Sequence, residues 1–324
     1  MKFLQYVPDL YSVEKVIADG EPDCGNGLYL SHLPGNRTPT HLKADVSVES
    51  ALRAIADPSE PLRGHGIVTN DHMDTDGVLT IWTLLNPTLA PEWSRQLIDA
   101  AQVSDFQEWT TPAALQIDLT VRAVDDPERS PLATDLTQLS EAEQGQRITE
   151  YLLDRLPELL RDPHPFWDLW SEAYAEAVQE MNWALGGGVE VTEYPHAHLS
   201  VLTTDRVLED LTRNSVARGQ RILEIERTPD GYRYDLGYRN FLFYDTVTRF
   251  ATPRHMLTAA ADRLNELEPD TSSGHWAVAD WYPALWFASE DDEEAGFSQL
   301  HPDTVSPLVL EELERLDWLT AGGR

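Results

Sequence analysis

The sequence predicts an α/β protein with a mainly parallel sheet flanked by helices, followed by a smaller α+β C-terminal domain. In the first half of the chain, short apolar runs that end in polar residues alternate with segments of helical periodicity. The second half contains strand-like runs joined by a short turn, which is typical of a hairpin. A chain of 324 residues that is 41% hydrophobic can bury a substantial core, as one large domain or as two. We expect a metal-binding α/β domain over residues 1–185 and a domain over 186–324 that closes over its site.

The elements of the first half follow from the periodicity of apolar residues and from the residues that end each run. A helix over 78–85 should end at Asn86-Pro87, because the residue before a proline disfavours the helical conformation. Residues 113–124 alternate like a strand but have flanks that suit a helix, and both assignments stay open. We place the domain boundary at Gly186-Gly187-Gly188, where a long helix ends. The predicted strands are 2–7, 27–32 and 65–70, and the predicted helices are 48–56, 78–85, 91–101, 140–161 and 166–185.

The second half reads as a mixture of strands and helices. The runs 221–227 and 232–241, joined by Pro229-Asp230-Gly231, predict a hairpin. Thr252 and Pro253 together predict the start of a helix. The remaining predictions are strands within 189–202, a solvated acidic loop at 290–294 and a terminal helix at 308–318.

The charge balance is strongly acidic. The chain has 56 Asp and Glu against 24 Lys and Arg, a formal net charge of −32, and only three lysines, yet it also has 10 Trp and 11 Tyr to pack. This composition indicates a folded acidic protein, similar to the proteins of salt-accumulating halophiles, rather than an acidic tail. The alternative is a functional acidic face for a cationic ligand. No basic stripe is present, so long nucleic acid is not an expected partner.

The expected cellular compartment follows from the scarcity of cysteine and from the absence of targeting and membrane-spanning segments. A single cysteine, Cys24, excludes an internal disulfide framework and a cysteine-based zinc cluster, and no basic neighbour would activate it as a nucleophile. The N-terminus does not resemble a signal peptide, and no apolar run is long enough to cross a membrane. We expect a cytoplasmic protein without membrane contact, and a homodimer stays open.

The most informative stretch is residues 66–77, where a β-branched run leads into Asp71-His72-Met73-Asp74-Thr75-Asp76-Gly77. In an extended segment, His72, Asp74 and Asp76 would point to one side. The carboxylate oxygens of the two aspartates suit Mn²⁺ or Mg²⁺, and the imidazole of His72 favours Mn²⁺ or another transition metal. Gly77 permits a sharp turn into the next helix, whose first amides would face a bound anion. The alternative is that these residues only cap that helix, although four polar side chains are more than one cap requires.

This motif, placed between a strand and a helix, resembles the first motif of the DHH phosphoesterase superfamily. That superfamily includes single-strand exonucleases, hydrolases of small oligonucleotides and cyclic dinucleotides, and inorganic pyrophosphatases. The resemblance implies that His72, Asp74 and Asp76 bind a pair of Mn²⁺ ions that activates water, and that a second domain closes over the substrate. No Asp-His-His tripeptide occurs downstream, and Asp118 is a candidate for the later aspartate ligand of the superfamily.

Further candidates lie outside the motif. His32 and Asp45 sit at predicted element ends and are candidates to complete the metal shell, with turn stabilisation as the alternative. Arg249 and Arg254 flank a predicted helix start and would bind an anionic substrate, unless they pair with surface carboxylates. His275 lies in a tryptophan-rich stretch and forms either a substrate wall or part of a buried hydrogen-bonded pair.

These observations together predict a metal-dependent hydrolase that acts on a phosphorylated or other anionic small molecule through metal-activated water. The expected cofactor is Mn²⁺ or Mg²⁺, and the expected catalytic residues are Asp71, His72 and Asp76. One alternative is a metal-dependent hydrolase or lyase of a non-phosphate bond. The other is a non-catalytic binding or regulatory protein on a degenerate phosphoesterase fold, which the missing tripeptide favours.

Overall fold

The structure is a computed structural model that describes residues 1–279, 284–289 and 295–321. The chain divides into two compact units. Unit 1 comprises Met1–Val178 with Phe243–Phe250, and unit 2 comprises Gln179–Leu242 with Ala251–Arg324. The predicted acidic loop at 290–294 lies outside the described residues, and closure of the second domain over the first stays a prediction.

Unit 1 is built on a small parallel sheet. Its strands lie in the order β1-β4-β2-β3, and each neighbouring pair is parallel. The carboxyl ends of all four strands therefore lie at the same edge of the sheet. The strands are β1 (Lys2–Phe3), β2 (Val16–Ala18), β3 (Leu28–Leu30) and β4 (Ile67–Thr69).

Helices pack against this sheet and against one another. They are α1 (Ser47–Ala56), α2 (Thr75–Leu85), α3 (Ser94–Phe106), α4 (Pro112–Asp125), α5 (Ala133–Leu136), α6 (Glu141–Arg161) and α7 (Trp167–Trp183). The boundary between the two units falls within α7. With a parallel sheet flanked by helices in unit 1 and a mixed sheet in unit 2, the predicted α/β class is confirmed.

Helix α2 carries the sequence motif and is fixed by its surroundings. Asp74 is its N-cap and accepts a hydrogen bond from the backbone N–H of Gly77 at 2.8 Å. Every residue from Thr75 to Leu84 is buried, with apolar side chains packed against the sheet and α1. The start of α2 is thereby held rigidly at the carboxyl edge of the sheet.

Residues 113–124, which the sequence left open, form helix α4. Thr111 caps it by accepting a hydrogen bond from the N–H of Ala114, and Pro112 occupies its first turn. The strand-like alternation arises because α4 is buried on more than one side: Val121 and Ala123, two positions apart and so on different faces of the helix, are both buried. A helix that packs on several faces loses the narrow apolar stripe that identifies it.

Unit 2 contains a mixed sheet in the order β5-β6-β7-β8-β10-β9. Only the β6–β7 pair is parallel among the described strand pairs of this sheet. The predicted hairpin is confirmed as β7 and β8. The elements of unit 2 are β5 (Glu190–Tyr194), β6 (Leu199–Thr204), α8 (Asp210–Val216), β7 (Arg221–Thr228), β8 (Gly231–Tyr238), α9 (Thr258–Leu267), β9 (His275–Val278), β10 (Leu285–Ala288) and α10 (Pro302–Thr320).

The helix predicted to start at Thr252 begins later, at Thr258, so that prediction is wrong. The side chain of Gln220 accepts a hydrogen bond from Thr252 N at 2.7 Å, and the buried Arg221 donates to Pro253 O at 2.9 Å. These tertiary hydrogen bonds hold the segment outside a helix despite its favourable local pattern. Among the described residues, no helix is long and apolar enough to span a bilayer.

Candidate metal centre

Three neighbouring strands of the unit 1 sheet deliver polar side chains to its carboxyl edge. Asp19 follows β2, His32 follows β3 by one residue, and the segment from Asp71 to Asp76 follows β4. Ligands of parallel α/β sheets bind at this edge, because the loops there converge. The sequence motif thus meets residues that are distant from it along the chain.

The first cluster of this centre surrounds the imidazole of His32. Its Nε2 atom lies 3.6 Å from Asp19 Oδ1, 3.6 Å from Asp76 Oδ2 and 3.3 Å from Asp105 Oδ2. Its Nδ1 atom lies 2.6 Å from the main-chain oxygen of Asp45. Because a carbonyl oxygen only accepts hydrogen bonds, Nδ1 carries the proton and Nε2 is the nitrogen left for a metal.

The second cluster surrounds His72. Its Nε2 atom lies 3.5 Å from Asp19 Oδ2 and 3.6 Å from Asp74 Oδ2. Its Nδ1 atom lies 3.0 Å from Asp71 Oδ1, so Asp71 orients the ring rather than joining the cluster. In each cluster, one imidazole nitrogen and two carboxylate oxygens lie within 4.8 Å of one another.

Asp19 is common to both clusters. Its Oδ1 atom faces His32 and its Oδ2 atom faces His72. The carboxylate is 1% exposed, and Asp19 adopts a left-handed backbone conformation with φ of 52°. Aspartate is one of the few residue types that visit this region readily. The geometry therefore places one carboxylate as a bridge between two candidate cation sites.

The side chains of both clusters are held by a surrounding hydrogen-bond network. The backbone N–H groups of Ser47 and Val48, at the start of α1, donate to the carboxylate of Asp76 at 2.5 and 2.9 Å. The Ser47 hydroxyl also donates to Asp19 Oδ1 at 2.5 Å. The ring of Tyr244 stacks on His32, with centroids 4.4 Å apart. Such support orients ligands before a metal binds.

Negative charge is crowded in this centre, and the pKa values show it. Burial and the negative charges of Asp74 and Asp76 raise the pKa of Asp19 well above its usual range. Burial and the same two charges do so for Asp105. Burial alone would lower the pKa of His72, but the surrounding carboxylates outweigh it and raise that pKa. A bound cation would relieve this repulsion.

The residues present fit a divalent cation. Asp19 Oδ2 and Asp105 Oδ2 are buried and make no hydrogen bond to any residue that the structure describes. The neighbouring imidazole nitrogens of His72 and His32 lie 3.5 and 3.3 Å from these two oxygens, respectively. Unpaired buried carboxylate oxygens are costly unless a cation compensates them. Oxygen and imidazole donors together suit Mn²⁺, and carboxylates alone suit Mg²⁺.

The structure brings four predicted ligands together, namely His32, His72, Asp74 and Asp76. The fifth, Asp45, does not belong to either cluster. Its carboxylate accepts hydrogen bonds from Val247 N at 2.6 Å, from Thr248 N at 2.8 Å and from the Thr248 hydroxyl. We assign Asp45 to holding this segment of unit 1 and, through its main-chain oxygen, His32.

The predicted substrate-binding residues fall in different places. Arg249 belongs to unit 1, where it donates two hydrogen bonds to the Glu108 carboxylate at 2.8 and 2.9 Å and lies over the Phe106 ring. Arg254 and His275 belong to unit 2, and their contact with a substrate stays a prediction. Asp118 accepts a hydrogen bond from the Thr75 hydroxyl at 2.7 Å and lies outside both clusters.

Two members of the centre, Asp19 and Asp105, were not predicted. Asp19 follows a strand of only three residues, but the Val16-Ile17-Ala18-Asp19-Gly20 pattern of an apolar run ending in Asp-Gly is a usable signal. Asp105 lies near the end of helix α3, in a stretch without a motif. Asp105 lies beside His32 because of the way α3 packs, and the local sequence does not predict that packing.

No curated protein and no solved structure matches the chain. One family does match, over residues 1–315, which include every residue of the metal centre. It is described as a family of unknown function, so the predicted relation to DHH phosphoesterases stays a prediction. Because the match covers nearly the whole sequence, the chain belongs to this family of unknown function, DUF6687.

Proposed function

We propose that the protein is a metal-dependent hydrolase that acts on a phosphorylated or other anionic small molecule. The observation that carries this proposal is the position of Asp19, whose two oxygens face two separate imidazole–carboxylate pairs. Enzymes that displace a group at phosphorus commonly use two cations, which stabilise the attacking and the leaving oxygen. The proposed cofactor is Mn²⁺, with Mg²⁺ as the alternative.

Most side chains of the centre have a defined task in this proposal. His32 and Asp76 would hold one cation, His72 and Asp74 the other, and Asp19 both. Bound cations would supply Lewis acidity and lower the pKa of a coordinated water. Asp71 keeps the His72 ring oriented through its contact with Nδ1, and the main-chain oxygen of Asp45 does so for His32.

The reaction proposed for a phosphate ester is a simple displacement. The oxygen of water forms a bond to phosphorus, and the bond from phosphorus to the ester oxygen breaks. The ester oxygen takes up a proton, so the products are a phosphate and an alcohol. Burial of the centre favours this chemistry, because charges in a low dielectric interact more strongly than in water.

Metal analysis of the purified protein in concentrated KCl tests the proposal, with Asp74→Asn as the variant and exposed Asp205→Asn as the control. We expect the wild type and the control to bind Mn²⁺ and hydrolyse members of a panel of phosphate esters, and Asp74→Asn to lose both properties. Absence of a bound divalent metal from the wild type would contradict the proposal. Bound metal without hydrolysis of any phosphate ester would favour a non-phosphate substrate instead.

A further inference from the structure

Two cavities in unit 1 adjoin the metal centre. The larger, of about 700 Å³, is lined by Asp71 and His72, and the smaller, of about 270 Å³, by Asp74 and Thr75. Met73 and Asp125 line both cavities, so the two are neighbours that meet at the motif.

The smaller cavity, called the Arg122 cavity below, has the features of an anion site. Arg122 is the one basic side chain among the described residues that line it, and Thr75 is the first residue of α2. The start of a helix carries a partial positive charge that favours anions. Two carboxylates, those of Asp74 and Asp125, also line this cavity. The charge of Asp74 would be offset by the cation that it holds, and since Asp125 lines the larger cavity too, Arg122 is the feature that distinguishes the two. Its lining residues are Met73, Asp74, Thr75, Ser104, Gln107, Val121, Arg122 and Asp125.

Arg122 is available for a ligand. Its side chain is 61% exposed, and its one ion pair among the described residues is a contact of 3.7 Å with Asp118 Oδ2. Asp118 already accepts a hydrogen bond from the Thr75 hydroxyl through its other oxygen. The Arg122 guanidinium can therefore turn towards a bound phosphate and donate two parallel hydrogen bonds to it.

The larger cavity, called the acidic cavity below, has the opposite character. None of its described lining residues is Arg or Lys, whereas Asp71, Asp125 and Glu141 bring carboxylates to it. Much of the remaining lining is apolar or carries side-chain amides, including Tyr6, Leu136, Ile148, Gln5 and Gln144. A second anionic group would be repelled here, while an uncharged or cationic group would not.

We propose that the substrate is a phosphomonoester of an uncharged or cationic alcohol. Its phosphate binds between the metal centre and Arg122, and its alcohol portion occupies the acidic cavity. This inference rests on the proposed hydrolase function and narrows it. Hydrolysis transfers the phosphorus from the alcohol oxygen to the oxygen of water, and the alcohol oxygen takes up a proton.

The role of Arg122 is tested by titrating inorganic phosphate into the Mn²⁺-loaded protein in a calorimeter. We expect Arg122→Gln to weaken phosphate binding by about 10- to 100-fold, the value of a charge-assisted hydrogen bond, and Arg122→Lys to weaken it less. The matched control is Arg95→Gln, since Arg95 also pairs with an aspartate one helical turn away, at 3.6 Å from Asp99, but lies outside both cavities. Equal phosphate affinity in Arg122→Gln and the control would overturn the inference.

The acidic cavity is tested with two ligands of nearly the same shape. Glycerol 3-phosphate carries a hydroxymethyl group where 3-phosphoglycerate carries a carboxylate. We expect the wild type to bind glycerol 3-phosphate about three- to tenfold more tightly, because Coulomb repulsion at short range is only partly screened by salt. The double variant Asp125→Asn/Glu141→Gln should narrow this difference. Equal or tighter binding of 3-phosphoglycerate by the wild type would overturn the inference.

Metal content, measured on the same samples, separates the two levels of the proposal. Failure of the wild type to take up Mn²⁺ would overturn the proposed function and this inference with it. Uptake of Mn²⁺ together with phosphate binding that ignores Arg122 would overturn this inference alone, and leave the hydrolase proposal standing.

Discussion

Replacing Asp19 by asparagine should stabilise the metal-free protein and abolish its response to Mn²⁺. Asparagine keeps the shape of the side chain, tolerates the left-handed backbone at φ of 52° and still accepts the hydrogen bond from Ser47. The change removes a buried carboxylate whose pKa is raised by burial and by the charges of Asp74 and Asp76, and whose Oδ2 atom makes no hydrogen bond to the described residues. Relief of one unsatisfied buried group is worth about 1–3 kcal/mol in the free energy of unfolding.

The metal-bound state should respond in the opposite direction. A cation that binds only the folded protein stabilises it by about 2.7 kcal/mol per site at a free concentration 100 times its Kd. Asp19 is common to both clusters, so its loss weakens both sites at once. In Asp19→Asn, we therefore expect Mn²⁺ to add little to the free energy of unfolding. A residue that costs stability but binds a cofactor is the usual signature of a functional site.

Urea unfolding in concentrated KCl, followed by tryptophan fluorescence with and without Mn²⁺, measures both effects. The control Asp205→Asn removes a carboxylate that is 74% exposed and should change the free energy of unfolding by less than about 0.5 kcal/mol. A metal-free Asp19→Asn protein that is less stable than the wild type, or one that keeps the full Mn²⁺ response, would refute this reasoning.

Three further predictions concern pH, thiol reactivity and the turn into α2. Burial raises the pKa of Glu224 from 4.5 to about 7, so between these two pH values the folded state binds more protons than the unfolded state. The free energy of unfolding should therefore fall by up to about 3 kcal/mol as the pH rises from 4.5 to 7. In Glu224→Gln, urea unfolding measured at a series of pH values should show a free energy of unfolding that no longer falls in this way. An unchanged pH dependence would contradict the prediction. Burial and the nearby Asp71 raise the pKa of the Cys24 thiol to about 12. A thiol reagent at pH 8 should therefore label the native protein roughly a thousandfold more slowly than the unfolded protein. Equal labelling rates would contradict a buried Cys24 beside Asp71. A Cβ at Gly77 would overlap Asn70 Nδ2 and lie 2.9 Å from Asp74 Oδ1, so Gly77→Ala should displace both side chains and lower Mn²⁺ affinity and stability by about 1–3 kcal/mol. Gly66→Ala, whose Cβ would have no atom within 4 Å, is the control, and an equal loss in that variant would argue against this reason.

Much of the centre could be predicted because its residues follow apolar runs. His72, Asp74 and Asp76 stand directly between a strand and a helix, and His32 follows a strand, so local sequence places all four at the same edge of a parallel sheet. The Asp74 cap and the burial of α2 then fix the geometry. Such positions are predictable because strand ends are marked by the change from apolar to polar residues.

The remainder depends on packing between distant segments. Asp105 reaches His32 only because α3 packs against α1 and α2, and the sequence of α3 carries no signal for that contact. Asp45 looked like a ligand because it stands at an element end, yet its carboxylate is used by residues about 200 positions later, Val247 and Thr248. Thr252 has good local chemistry for a helix start, but tertiary hydrogen bonds override it.

Equilibrium dialysis against Mn²⁺, with metal and protein measured on the same sample, tests the central claim most directly. The shared position of Asp19 predicts two Mn²⁺ ions per chain in the wild type and a large loss of both in Asp19→Asn, with the exposed control Asp205→Asn unchanged. A wild type that binds no Mn²⁺, or an Asp19→Asn protein that still binds two ions, would contradict the account.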